Sequence, residues 1–175
     1  MNNLKHLFLL SVIALCAACN RPDPNKFFDI TVLNSNIVFD FGTEQFVRNV
    51  KGAATEYPGS TEKKKGNEAR QVIQAKADYI KKTIEKIEAL TPPDEDADKI
   101  KEKALKLYRF ALPVYEKEYM QLAQKCDQKA SDQDINTLAG DIETKYAAAF
   151  DQLHGDLYET GKTYAKKHNM NVKFR

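Results

Sequence analysis

The chain has 175 residues, with 27 basic and 25 acidic side chains and a net charge of +2 at pH 7. This balance excludes the clustered excess of positive charge that nucleic-acid-binding proteins carry, so we expect no nucleic-acid partner. The length is enough for one domain with a sizeable core and too short for a clear second domain.

The first residues have the pattern of an export signal. Lys5 and His6 precede an apolar run, Leu7–Ala18, which ends in a small residue directly before Cys19. A basic start, a short apolar run and a small residue at its end are typical of a secretory signal that is cleaved. The run is too short to span a bilayer as a permanent helix. We therefore predict that residues 1–18 are a signal peptide.

The end of this signal, Cys16-Ala17-Ala18-Cys19, resembles the lipobox of bacterial lipoproteins. The resemblance implies that Cys19 is acylated on its thiol, becomes the first residue of the mature protein and is acylated again on its new amino group. Several acyl chains, at about 0.8 kcal/mol per buried CH₂, would hold the protein on a membrane, whereas one chain would be marginal. The alternative is an ordinary secreted protein that is cut after Ala18.

Removal of 18 of the 175 residues would leave 157, and it would remove one charged side chain, Lys5. Residues 19–26 are polar and contain two prolines, which predicts a short, extended tether. The folded domain would then comprise residues 27–175. Cys126 would be the only free thiol of the mature chain, so no internal disulfide could form.

The stretch from residue 27 to residue 57 fits two structures. Apolar residues recur in it at helical spacing, yet Ile37-Val38-Phe39-Asp40-Phe41 after Asn34-Ser35-Asn36 is also typical of half a hairpin. The β-branched and aromatic composition favours a strand. We favour a helix, because the rest of the chain supplies three long amphipathic helices that need a fourth apolar face. The expected inward residues are Ile30, Leu33, Ile37, Phe41, Val47, Val50, Ala54 and Tyr57.

The first long helix follows the break Tyr57-Pro58-Gly59-Ser60 and ends at Thr91-Pro92-Pro93. Proline and glycine favour a turn at the break, and Ser60 or Asn67 is available to cap the helix that follows. The apolar stripe of this helix has steps of three and four residues, which is the period of one helix face.

The second long helix is expected to run to about Lys129, with a kink at Pro113 because proline cannot donate to the carbonyl of Arg109. The third opens at Ser131, which with Asp134 resembles a capping box, and runs to about His168. The expected core positions of the three helices are Ala69, Ile73, Ala77, Ile80, Ile84, Ile87, Ala97, Ile100, Ala104, Leu107, Ala111, Val114, Tyr119, Leu122, Cys126, Ile135, Leu138, Ile142, Tyr146, Phe150, Leu153, Leu157, Gly161 and Tyr164. The sequence therefore predicts an all-α protein, an antiparallel four-helix bundle whose first element is either helical or a short hairpin.

No catalytic or metal-binding constellation is assembled in the sequence. A di-iron bundle needs repeated Glu-x-x-His pairs, and the nearest spacing, Asp151 to His154, occurs once. Covalent haem attachment needs Cys-x-x-Cys-His, and nucleophilic or phosphate-binding chemistry has its own glycine-rich motifs, none of which occurs. We therefore expect no metal, no cofactor and no enzymatic activity.

Aromatic residues give a weaker indication of a ligand site. Tyr108, Tyr115 and Tyr119 lie on successive turns of one helix, where they could line a groove together with His154. The interpretation that we favour is a core edged by tyrosines whose hydroxyl groups reach solvent. His154 borders the apolar stripe, where a packed, hydrogen-bonded histidine is commoner than a haem ligand.

The whole pattern, a lipobox, one broken apolar segment and then long helices, is similar to that of small helical envelope lipoproteins of Gram-negative bacteria. The resemblance implies a lipid-anchored protein of the outer membrane that faces the periplasm, with the cell surface as the alternative. It also implies a non-enzymatic binding or interaction module, with an envelope protein as its partner. The alternative function is a carrier of a small ligand or haem between the helices.

Overall fold

The computed structural model describes residues 23–59 and 63–173, and no strand occurs among them. The described helices are α1 (Pro24–Thr31), α2 (Glu44–Ala54), α3 (Glu68–Glu88), α4 (Glu95–Val114), α5 (Met120–Asp127) and α6 (Asp132–Lys167). A 3-10 helix, Leu33–Val38, joins α1 to α2, and a π-helical turn, Tyr115–Tyr119, joins α4 to α5. The all-α prediction is confirmed, and the hairpin alternative is wrong.

Three long helical units form the frame of the bundle: α3, the continuous α4–α5 unit and α6. At one end the carboxylate of Asp127 binds the first turn of α3. At the other end Lys167 of α6 binds Asp96 of α4. Neighbouring units are therefore antiparallel. We call the first of these the Asp127 end, and the second, where α1 also begins, the Asp23 end.

The α1–α2 segment occupies the fourth position of the bundle. Near the Asp23 end, Val32 packs against Gly161 of α6, and Asn34 bonds to Thr83 of α3. Near the Asp127 end, Lys51 of α2 pairs with Asp132 of α6. The segment therefore runs antiparallel to both α3 and α6, so two short helices supply the fourth apolar face.

Local capping explains where these two short helices begin. The Asp23 side chain accepts a hydrogen bond from the backbone N–H of Asn25, and Pro24 stands in the first turn, where its missing N–H costs nothing. The Thr43 side chain accepts from the N–H of Phe46 at the start of α2. Because α1 begins at Pro24, helix replaces the last part of the extended tether predicted for residues 19–26.

A capping residue distant in sequence holds the start of α3. Asn67 occupies the cap position, but its side chain makes no capping hydrogen bond, and Ser60 lies outside the described residues. The buried carboxylate of Asp127 instead accepts from the N–H groups of Ala69 and Arg70, at 3.0 and 3.2 Å, and from the Arg70 guanidinium at 2.9 Å. The cap predicted at Asn67 is therefore wrong, whereas the cap predicted at Ser131 is confirmed by its bond from the N–H of Asp134.

Pro113 is followed by a widened turn. The residue lies inside α4, and the π-helical turn begins two residues later, at Tyr115. Proline removes one hydrogen bond of the helix ladder, and π-helical geometry occurs mostly as single turns inside α-helices. The helix is therefore not broken at Pro113, and it continues through the π turn to Asp127.

The predicted stripes of α3, α4–α5 and α6 form the core. Their residues are buried or half-buried throughout, as at Ile80, Leu107 and Leu157. The first segment is predicted less well, because Tyr57 was expected inward and is 64% exposed. Phe27, Phe28, Val32, Val38 and Phe46, which were not on the expected stripe, are buried in its place.

Gly161 allows α6 to approach the first segment closely. A Cβ at this position would lie 2.7 Å from Cγ1 of Val32, which is closer than carbon atoms pack. Glycine in a helix interior costs about 1 kcal/mol relative to alanine. At Gly161 the close packing of Val32 offsets this low helix propensity. Among the described residues, no helix is both long enough and apolar enough to cross a membrane.

Candidate functional site

An aromatic cluster lies where the α1–α2 segment meets the π turn. Phe41 is at its centre, with ring centroids 5.8 Å from Tyr115 and 5.6 Å from Tyr119, both edge-on, and 4.3 Å from Phe150, stacked. Phe46 packs edge-on against the same two tyrosines. The cluster therefore ties the first segment to α5 and α6 through the π turn.

The two candidate tyrosines lie together but differ in hydrogen bonding. Their ring centroids are 5.0 Å apart, and both side chains are buried. The hydroxyl of Tyr119 accepts from the N–H of Gly42 at 2.8 Å, whereas the Tyr115 hydroxyl has no partner among the described residues. Burial raises the pKa of Tyr119 to about 12 and raises the pKa of Tyr115 further, so both are neutral at physiological pH.

The expectation that these tyrosine hydroxyls reach solvent is wrong for the α4–α5 unit. Tyr108, Tyr115 and Tyr119 are at most 1% exposed. The hydroxyl of Tyr108, like that of Tyr115, lacks a partner within the part of the chain that is described. The tyrosines on this unit are core residues.

A half-buried ion pair covers the cluster. Nζ of Lys76 on α3 lies 2.5 Å from Oδ1 of Asp40, and the two side chains are only 13% and 16% exposed. The same ammonium lies over the ring of Phe46, 4.6 Å from its centroid. Cation–π contact and pairing together compensate for the partial loss of water around this charge.

A groove between α2 and α6 lies beside the cluster. It consists of two adjoining depressions of about 420 and 390 Å³ that share Lys51. The walls include Val47, Arg48 and Ala54 of α2 and Asp132, Ile135, Asn136, Ala139, Gly140 and Glu143 of α6, and Tyr119 and Cys126 lie at the base. We call this surface the α2–α6 groove.

No protein-family model, curated protein or solved structure matches this chain. The function of the groove must therefore be inferred from the side chains that line it. Its apolar wall residues are Val47, Ala54, Ile135 and Ala139, and a Cβ on Gly140 would meet no atom within 4 Å. Charged side chains line the rim, where Lys51 bridges the groove to Asp132 at 2.8 Å. Apolar and charged side chains therefore line the groove together.

His154 is linked to the cluster but does not line the groove. Its ring stacks on Phe150 with centroids 5.8 Å apart, and its Nε2 atom is buried without a partner among the described residues. Burial lowers the pKa of His154, so the imidazole is neutral at pH 7. Because the unfolded chain binds this proton more readily, His154 lowers stability as pH falls through about 6.5.

Two further predicted features can be placed. Cys126 is 5% exposed, and burial raises the pKa of its thiol to about 11, which keeps it protonated and unreactive at neutral pH. No group of three or more His, Cys, Asp or Glu side chains that could hold a metal ion occurs in the described part of the chain. Cys19, the predicted lipidation site, lies outside the described residues.

The unequal bonding of the two tyrosines gives a testable difference. Tyr119→Phe is expected to lower the free energy of unfolding by about 1–2 kcal/mol, since the N–H of Gly42 loses its acceptor. Tyr115→Phe is expected to be neutral or stabilising, because it removes a buried hydroxyl that has no partner. Urea denaturation of both variants measures the difference. Equal losses would contradict it.

Proposed function

We propose that the protein is a lipid-anchored, non-enzymatic binding module of the bacterial cell envelope. Cys19 carries the lipid, the outer membrane is the site of attachment, and the bundle faces the periplasm. The observation that carries the proposal is the lipobox-like sequence Cys16-Ala17-Ala18-Cys19 at the end of a short apolar run. A cysteine at the cleavage point of a signal peptide supplies the thiol that acylation needs.

The described fold supports a binding role in one further way. The α2–α6 groove presents apolar side chains within a charged rim, and an apolar centre with a polar rim is the usual anatomy of a docking surface. Tyr119 and Cys126 line the groove, but burial keeps both protonated at neutral pH, and His154 does not line it. A partner from the envelope, held by the groove and concentrated at the membrane by the lipid, fits these features.

Two serine variants test the anchor. Cys19→Ser is expected to abolish lipid attachment and processing by the lipoprotein route, because serine resembles cysteine in size but lacks the thiol. Cys16→Ser is the matched control and is expected to leave both unchanged, because residue 16 would be removed with the signal peptide. Fatty-acid labelling and membrane fractionation of cells that express each variant measure the outcome. Label retained in Cys19→Ser but lost in Cys16→Ser would contradict the assignment of Cys19.

A second candidate function is a carrier of a small apolar ligand. The observation that favours it is Tyr119, whose side chain lines the α2–α6 groove and whose hydroxyl retains a hydrogen atom to donate. The volume of the groove's first depression, about 420 Å³, lies in the range of small-molecule sites. His154, outside the groove, does not contribute, so the haem version of this function has no support from geometry.

Filling the groove separates the two candidates. Gly140→Leu would place a side chain in open space within the groove, and Gly155→Leu would place one in open space elsewhere on α6. If the protein is a carrier, native mass spectrometry is expected to show one bound small molecule per chain in the wild type and in Gly155→Leu. Gly140→Leu is expected to have lost that molecule. A protein-binding module is expected to show no such molecule in any of the three.

A further inference from the structure

We infer that one exposed side of α3, together with Phe39, lies on the lipid surface to which Cys19 is anchored. This inference rests on the proposed lipidation. The surface consists of Phe39, Val72, Tyr79, Lys82 and Lys86, and we call it the α3 face. It is a different surface from the α2–α6 groove, which lies between α2 and α6 and has no residue of α3 in its walls.

The α3 face contains the most exposed large apolar side chains of the described residues, apart from Tyr57. Phe39 is 68% exposed, Val72 43% and Tyr79 41%. Exposed aromatic side chains that lie together on a soluble domain commonly mark a contact surface. Phenylalanine and tyrosine are also suited to the boundary between lipid and water, since each brings a large ring to the level of the head groups.

Fixed contacts place Phe39 beside α3. Its neighbour Asp40 is paired with Lys76, and Asn34, in the 3-10 helix that precedes Phe39, accepts a hydrogen bond from the Tyr79 hydroxyl at 2.6 Å. The two α3 residues in these contacts, Lys76 and Tyr79, lie one helical turn apart. Phe39 therefore projects from a loop that is held on the same side of the bundle as Tyr79.

The register of α3 joins the aromatic and basic residues into one stripe. Positions 72, 75, 79, 82 and 86 follow steps of three and four, so they lie along one side of the helix, and all five are exposed. The stripe is apolar from Val72 to Tyr79 and basic at Lys82 and Lys86. It extends about 21 Å at 1.5 Å per residue, and its basic part is nearer the Asp23 end.

The anchor is attached close to the Asp23 end of the bundle. Cys19 lies four positions before Asp23, the cap of α1, and an extended chain over four steps spans at most about 14 Å. The Asp23 end must therefore stay close to the lipid, and the basic part of the α3 face lies nearest to it. With the bundle lying along the membrane, Lys82 and Lys86 would contact anionic head groups, and Phe39 and Tyr79 would reach the boundary between head groups and acyl chains.

Depth-dependent quenching tests this contact in the lipidated protein. A nitrobenzoxadiazole label would be attached at Phe39→Cys or, as the control, at the exposed position Gly155→Cys, each with Cys126→Ala. The proteins would be reconstituted into phosphatidylcholine vesicles that contain phosphatidylglycerol and lipids spin-labelled at the head group. We expect quenching at position 39 to exceed quenching at position 155 by at least threefold, and Lys82→Glu with Lys86→Glu to reduce the difference.

The other outcomes have distinct meanings. Protein that does not float with the vesicles, in the wild type as well, contradicts the lipid anchor itself. Protein that floats with equal quenching at both positions overturns the α3-face contact and leaves the anchor standing. A label at position 39 that becomes buried as protein concentration rises, without lipid quenching, overturns the contact in favour of a second copy of the chain.

Discussion

Phe41→Ala is expected to lower the free energy of unfolding by about 3–5 kcal/mol, the usual loss for a large aromatic residue removed from a core. Phe41 contacts Tyr115, Tyr119 and Phe150 and is 2% exposed. Its loss would separate the first segment from the rest of the bundle. Equilibrium urea denaturation of residues 19–175 carrying Cys19→Ser measures the effect in a lipid-free protein.

Phe39→Ala is the matched control, two residues away in the same loop. This side chain is 68% exposed, so its removal is expected to change the free energy of unfolding by about 0.5 kcal/mol or less. If complete unfolding prevents measurement of Phe41→Ala, Phe41→Leu is expected to give a smaller loss in the same direction. Similar losses at positions 39 and 41 would show that the first segment is not held by this cluster.

Asp127→Asn is expected to cost about 2–4 kcal/mol. The carboxylate is 1% exposed and accepts three hydrogen bonds, two of them from the otherwise unpaired N–H groups at the start of α3. The asparagine side chain has the shape of aspartate but no charge, and its NH₂ group cannot accept a hydrogen bond. At least one of the buried N–H groups at the start of α3 therefore loses its acceptor.

Asp132→Asn gives the comparison for Asp127→Asn. Asp132 pairs with Lys51, but its side chain is 81% exposed, and exposed pairs contribute between 0 and about 1 kcal/mol. Thermal and urea denaturation of the two variants measure the difference. A loss at Asp132 that equals the loss at Asp127 would contradict the capping role.

Long helices with a regular stripe could be predicted from the sequence. On α3, α4–α5 and α6 the apolar steps of three and four continue for many turns, so Ile80, Leu107 and Leu157 were placed correctly in the core. The stripe has the same physical cause everywhere, because each of these helices buries one face against the others.

The first segment could not be predicted in the same way. It consists of an 8-residue helix, a 3-10 turn and an 11-residue helix, so no period persists long enough to identify it. Its β-branched and aromatic residues favour a strand locally. The apolar faces of α3 and α6 override this preference, since they require an apolar surface between them and leave no partner strand.

Contacts between residues distant in sequence explain the remaining errors. The cap of α3 comes from Asp127, 58 residues from Ala69, whereas local signals pointed to Ser60 and Asn67. Tyr115, which was not on the expected stripe, is buried in the π turn beside Tyr119, which was. The α2–α6 groove depends on how closely α2 approaches α6, which no local pattern records.

The central claim is that Cys19 is the lipidated first residue of the mature protein. Mass spectrometry of the N-terminal peptide, released from protein purified out of cell membranes, tests it most directly. We expect a peptide that begins at Cys19 and carries a diacylglyceryl group on the thiol and a further acyl chain on the amino group. A mature N-terminus at Cys19 with a free thiol and no lipid, or an uncleaved residue 1–18 segment, would contradict the claim.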